Sequence, residues 1–380
     1  MHGIEPQQRE RVEQRFRDWW EGRLGEPLLA VRAPVTDRHG RGTSNTSGDE
    51  NHWWEDDLHT LHGGAEAGDP ELAQIWTDPD RLLPRYQELL RINWFGGDWL
   101  PVVWPNFSPC IISAFLGAKL SFGPRTTWQE PAATLHEVAA GEFDPLNVWW
   151  QRTAVMVERA LSNWDGRFVV GFPDWGAVTD ALANLVGHEA LCVAVVTEPA
   201  LVRRAGARLL EIQLELVRRL AEGMLAVQGG TCSWHGCWSP GITYPVQSDL
   251  CVLFSPRQFR DVFLPLLDQE CSALTHAAYH LDGPEALRHL DALLEIPSLR
   301  AIQWIPGAGA PPTHQWLDLY RRIQAAGRAV IVEAEYEAVP LFLRELRPEG
   351  LFLRTACPTR EHGLRLLEAC RKGPARRTGR

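Results

Sequence analysis

Eight short apolar runs separated by stretches of helical periodicity constrain this chain more than any other feature in it. The runs are Leu28–Val31, Pro101–Trp104, Phe168–Gly171, Thr231–His235, Ala277–Leu281, Ala301–Ile305, Ala329–Val332 and Leu351–Arg354. Each is too short for a helix, and a short, mostly apolar run reads as a strand buried on both faces. Helical patterns lie between them, most plainly Glu198 to Met224 and Pro256 to Thr275. Eight strands alternating with helices point to an α/β chain folded as a (β/α)8 TIM barrel. An open doubly wound sheet is the second reading, and the lack of a G-x-G-x-x-G or P-loop pattern after the first run counts against it. A helix over residues 8 to 24 precedes the first strand, apolar at Val12, Phe16, Trp19, Trp20 and Leu24, with Gly25 as its stop. The first βα connection is long and polar from Thr36 to Asp57, as a mobile lid or a partly disordered loop would be. Lys119 to Thr127 adds a hairpin outside the eight-strand count. Residues 1–370 therefore read as one domain, and 371–380 as a basic, disordered tail.

Composition removes several function classes. A net charge of -10 is the wrong sign for a nucleic-acid binder. No apolar run approaches the length of a membrane span and the start is no signal peptide, so the expected location is cytoplasmic. The eight cysteines are scattered without a CxxC pair, which fits reduced thiols. Schiff-base chemistry is disfavoured because the only lysines, Lys119 and Lys372, sit in no convincing site. The 17 tryptophans are a stronger bias. Trp53, Trp54, Trp94, Trp99, Trp104, Trp175, Trp234, Trp238 and Trp304 fall in expected loops, where indole faces suit sugar rings, aromatic ligands or macrocycles. The plainer reading packs at least half of them between helices and sheet. A small-molecule substrate is expected, and a homo-oligomer stays open.

Barrel geometry supplies a test, because chemistry gathers where strands end. Asp98 and Asn106 flank the second run, Asp174 follows the third and His235 ends the fourth. His280 and Asp282 end the fifth, Gln303 lies in the sixth, Glu333 and Glu335 follow the seventh, and Cys357 follows the eighth. His280 and Asp282 stand at i and i+2, on one side of a strand. The acid/base candidates are Asp98, Asp174, His235, Asp282, Glu333 and Glu335. The metal-ligating candidates are His280, Asp282, Glu333 and Cys357, for zinc or another divalent metal. Plainer readings stand beside these. His280 fits a satisfied core histidine, Asp282 a cap on the helix holding Glu285, Leu287 and His289, and Cys357 a buried apolar residue. One of Glu333 and Glu335 fits a solvent-facing charge. Pro306-Gly307-Ala308-Gly309 fits either a tight turn or an anion cradle. His52, His59 and His62 look metal-like by composition but lack ligand spacing.

The chain resembles the uroporphyrinogen decarboxylase superfamily, which includes the corrinoid-dependent methyltransferases and the cobalamin-independent methionine synthase catalytic barrel. The resemblance runs from about Leu28 onward, excluding the polar loop. It rests on Phe95-Gly96-Gly97-Asp98, Phe115-Leu116-Gly117-Ala118, Tyr279-His280-Leu281-Asp282-Gly283, Ile302-Gln303-Trp304-Ile305-Pro306-Gly307 and Thr355-Ala356-Cys357. In the methyltransferase branch, zinc is held by a His-x-Cys at a strand end and a cysteine past the last strand, with an acidic ligand between them in some members. The resemblance implies that His280 matches that histidine and Cys357 the distal cysteine. Asp282 stands where a cysteine is expected, and Gln303 near the intervening glutamate. A carboxylate in place of a thiolate makes a harder site. The arginine-rich N-terminal motif of the decarboxylase itself is missing. A corrinoid partner belongs to the branch, and nothing in this sequence specifies one.

Three functions follow as expectations. The first is metal-assisted methyl transfer, or related lyase-like chemistry, on a small molecule. The second is a carbohydrate-active enzyme of glycoside hydrolase type, using a pair among Asp98, Asp174, Asp249, Asp282, Glu333 and Glu335. The third is a non-catalytic barrel that binds a ligand.

Overall fold

The computed structural model describes residues 3–35, 70–123 and 126–371. The polar loop with its histidines, Trp53 and Trp54, and the tail beyond Arg371, lie outside the described residues. The strands are β1 (Leu28–Pro34), β2 (Asn93–Gly97), β3 (Val102–Val103), β4 (Lys119–Phe122), β5 (Thr127–Glu130), β6 (Val169–Val170), β7 (Pro245–Gln247), β8 (Ala277–Asp282), β9 (Leu299–Ile305), β10 (Ala329–Glu333) and β11 (Leu351–Ala356). Seven form one sheet in the order β2-β1-β11-β10-β9-β8-β7, while β3 pairs with β6 and β4 with β5. From β1 to β7 every pairing is parallel. The fold is α/β with a large parallel sheet, and among the described residues the ladders do not close into a ring.

Seven of the eight apolar runs are strands. The exception is Thr231–His235, where the backbone makes only an isolated bridge from Thr231 to Ser239. The place beside β8 goes to β7, a run of three residues that the apolar pattern does not mark. The Lys119–Thr127 hairpin is present as β4 and β5. The shortness of β6 has a local cause. Gln228, at the end of the 30-residue helix Pro199–Gln228, accepts from Val170 N at 2.7 Å and donates to Val170 O at 2.8 Å. One side-chain amide thus occupies both hydrogen-bonding groups that a neighbouring strand would use.

The first helix spans Pro6–Trp20 and ends before Gly25, with Gly22 turning the chain at φ 67°. Its apolar face is bound to the sheet's interior. Phe16 meets Phe352 edge-on at 5.3 Å, and the Trp20 indole donates to Trp238 O at 2.8 Å. The helix expected over 256–275 is broken into Pro256–Gln258, a wide turn over Phe259–Phe263 and Leu264–Ala273. Pro265 lacks the N–H that a continuous ladder requires there. No single described helix is long and apolar enough to cross a membrane.

Asp98 belongs to this scaffold. The second strand, β2, folds back antiparallel on β1, pairing Gly97 with Ala30. That places Asp98 beside Leu29, at the start of β1, the end of the sheet opposite the strand exits. Asp98 accepts from Arg15 Nε at 2.6 Å and from Leu29 N at 2.8 Å. Burial pushes its pKa up, and Arg15 opposes that shift. We therefore reassign Asp98 from acid/base candidate to structural anchor of the first helix. Asp98→Asn, which weakens a charge-assisted pair, should cost about 2 kcal/mol in denaturant unfolding. A loss under about 0.5 kcal/mol would remove the anchoring role.

Candidate active site at the strand exits

The parallel register determines which side chains share a face. Gln247 on β7 lies opposite His280 on β8, which lies opposite Gln303 on β9. Glu333 on β10 lies opposite Arg354 on β11. These five residues, on consecutive strands, form most of the site. The His280 ring meets Gln303 Oε1 through Nδ1 at 2.8 Å. Gln303 Nε2 donates to Glu333 Oε1 at 3.2 Å, and Arg354 Nη1 donates to the same oxygen at 3.1 Å. Arg354 Nη1 also donates to His235 O at 2.9 Å, and the guanidinium lies over the Trp99 ring at 5.0 Å. With its NH2 committed to Glu333, Gln303 turns its oxygen to His280. Nδ1 is therefore the donor, an arrangement that in a neutral ring leaves the lone pair on Nε2. His280 is half-buried, with Trp234 edge-on at 5.0 Å.

The remaining sequence candidates sort by position. Asp174, in the loop after β6, accepts from Gly176 N at 2.9 Å and from the Trp234 indole. Burial pushes its pKa up to about 6, so it is largely ionised at pH 7; Asp249 adds to the shift and His280 opposes it. His235 is fully buried, and neither ring nitrogen makes a hydrogen bond of normal geometry. Burial, with Arg354 and His280 nearby, lowers its pKa to about 3 and keeps it neutral. Asp282 caps no helix. The turn Pro284–His289 starts from Gly283 without a side-chain cap, and Asp282 faces Gly307 instead. Gly307 and Gly309 both take positive φ, so Pro306–Gly309 is a turn. Glu335 accepts from Thr313 N at 2.9 Å and Thr313 Oγ1 at 2.6 Å. It ties the loop after β10 to the loop after β9.

The four metal candidates are not gathered into a ligand set, and no trio of His, Cys, Asp and Glu among the described residues is arranged to hold a metal ion. Glu333 Oε1 is already shared by Gln303 and Arg354, while burial pushes its carboxyl pKa up. The Cys357 thiol is buried and pushed up to about 12, with Glu337 as its charged neighbour, so it is a thiol and not a thiolate at neutral pH. This donor set does not suit the thiolate-rich zinc that the resemblance implies.

Comparison with known proteins bears on the fold. No family model matches the chain, and no curated protein matches it. Among solved structures, the chain is similar in fold to a methyltransferase from Methanosarcina mazei. The match has TM-score 0.54 and 11% identity, and covers 95% of this chain and 98% of the other. At that identity the likeness concerns the fold, and function must be argued from the site.

Sequence reasoning misses Arg354, which counts there as the last residue of an apolar run, and Asp180 in the helix Val178–Val186. It also counts tryptophans that turn out to be core. Trp99, Trp104, Trp175, Trp238 and Trp304 are all buried, which removes most of the expected sugar-stacking faces. Trp234, half-buried beside His280, keeps an indole at the site.

Proposed function

We propose that the chain is a uroporphyrinogen decarboxylase-like (β/α)8 barrel enzyme. It transfers a methyl or related group on a small molecule at the strand exits, with His280 as the base. The barrel reading is supported by the parallel pair β3–β6 and by the bond from Phe172 N to Cys232 O, which extends that pair to the fourth run. Methyl transfer is supported by the fold likeness. The observation that carries the site is the chain Arg354–Glu333–Gln303–His280, which orients the ring of the half-buried His280 through Nδ1.

A base must be oriented before its strength matters. With a thiol as acceptor, His280 Nε2 takes the S–H proton while Nδ1–H stays on Gln303. The sulfur bonds to the methyl carbon as that carbon's bond to the donor nitrogen, sulfur or oxygen breaks, and the ring returns the proton to the departing heteroatom. The positive charge that develops on the ring lies near the carboxylates of Glu333, Asp174 and Asp249, and all three act on His280. Gln303 relays orientation without titrating, because an amide has no proton to lose in this range.

The test is a methyl-transfer screen of methylated amines, thioethers and methoxyaromatics, with a thiol or cob(I)alamin as acceptor and NMR or absorbance as readout. His280→Ala should lower turnover by roughly 10² to 10⁴. Gln303→Leu should lower it less and displace the pH–rate profile, since ring orientation is lost while the base remains. Unchanged turnover in His280→Ala, or none from the wild type across the panel, would overturn the reading.

A further inference from the structure

Beside His280 the structure gathers a cluster of carboxyl groups, of which Asp174 is largely ionised at pH 7 and Asp180, raised by burial to about 7, is about half so. Asp174, Asp180 and Asp249 act on one another, and Asp249 also feels Asp282. No arginine is among the strongest influences on the three. Arg354 is already committed to Glu333 and His235 O. The cluster is built rather than incidental. Asp180 accepts from Asp249 N at 3.1 Å and Leu250 N at 2.8 Å, and the Thr179 and Ser248 hydroxyls meet at 2.8 Å. The start of helix Val178–Val186 is thereby locked to the turn after β7.

A second observation points the same way. Gln247 is 6% exposed, and its Oε1 has no hydrogen-bond partner. Its register with His280 places it on the site face, two residues before Asp249. A buried amide oxygen without a donor costs free energy unless something fills the role. The carboxylates, the orphan acceptor and the Trp234 indole are complementary to an organic cation. A bare metal ion would need ligands converging at about 2.0–2.6 Å, and no trio here converges that way.

We infer that the small molecule bound at this site carries a protonated or quaternary ammonium group, seated between Asp174, Asp249 and Asp282 with Trp234 against its methyls and Gln247 at its rim. This deepens the proposed function and rests on the same site. It is tested by binding alone, so the two readings fail separately.

The probes are choline and its neutral isostere 3,3-dimethylbutan-1-ol, titrated calorimetrically into the 380-residue chain. Choline should bind at least about tenfold more tightly than the isostere, and Asp249→Asn should weaken choline by about tenfold while leaving the isostere unchanged. Asp249 is exposed and its replacement should leave the fold intact; Asp282→Asn serves as the second variant, with circular dichroism as the check on folding. Equal affinity for the two probes, or no choline binding, overturns the inference. So does stabilisation by Mg²⁺ or Zn²⁺ alone that Asp249→Asn removes while choline stays inert.

Discussion

Arg354→Met should be the most damaging single substitution in the sheet's interior, costing roughly 3 to 5 kcal/mol of stability. The Arg354 side chain is 4% exposed, and its guanidinium serves Glu333, His235 O and the Trp99 face together. Methionine fills similar space but leaves Glu333 without its cation. Burial already pushes the Glu333 carboxyl above its ordinary range, with Arg354 as the largest opposing influence. Removing that influence drives the carboxyl toward its neutral form. Adding Glu333→Gln to the Arg354→Met variant should recover part of the loss, because an amide needs no counter-charge. The measurement is a double-mutant cycle by urea unfolding at pH 7, with a coupling of at least about 1 kcal/mol expected for a direct pair. Additive losses would mean that Arg354 acts through packing alone, as long arginine stems do elsewhere.

The same residue shows where the sequence stops being legible. Parallel strands buried on both faces read as apolar runs, and seven of the eight runs are strands for that reason. A charged residue inside such a run carries no pattern of its own. Arg354 reads as the end of a strand, although its register partner Glu333 makes it central to the site. Gln303 stands out only by its position, because a neutral amide has no chemical signature until both of its partners are known. Asp98 is misplaced for a topological reason. Chain order puts it before the second run, but β2 turns back along β1 and carries it to the opposite end. Asp180 is invisible in the sequence because its role depends on the turn at Asp249 and Leu250, some 70 positions away. His280 is legible because an imidazole at a strand exit is rare enough to stand out alone.

Glu270→Gln should change stability by an amount that depends on pH, and the sign follows from the direction of the shift. Glu270 lies in helix Leu264–Ala273, fully buried, and accepts from Gln213 Nε2 at 2.9 Å and the Tyr244 hydroxyl at 2.8 Å. Burial raises its pKa from 4.5 to about 7, against the two hydrogen bonds that lower it. A carboxyl that is more basic in the folded state keeps its proton where the unfolded chain has released it. Stability therefore falls as pH rises from about 4.5 to about 7, and the full penalty, roughly 3 kcal/mol, applies above that window. The geometry agrees, since Glu270 Oε2 is buried without a hydrogen-bond donor to stabilise a charge on it. The glutamine side chain carries no charge to desolvate and presents an N–H where the proton would be. Relative to wild type, Glu270→Gln should be close to neutral at pH 4.5 and stabilising at pH 8, the two effects differing by roughly 3 kcal/mol. Urea unfolding of both proteins at the two pH values measures this directly. An effect independent of pH would mean that the Glu270 pKa is not raised in the folded protein. Because Tyr244 packs against Phe172 and Trp175, centroids 6.2 and 6.4 Å away, ionisation of Glu270 acts on the wall behind the Asp174 loop. Choline affinity of the Glu270→Gln variant should accordingly vary less between pH 6 and pH 8 than that of the wild type.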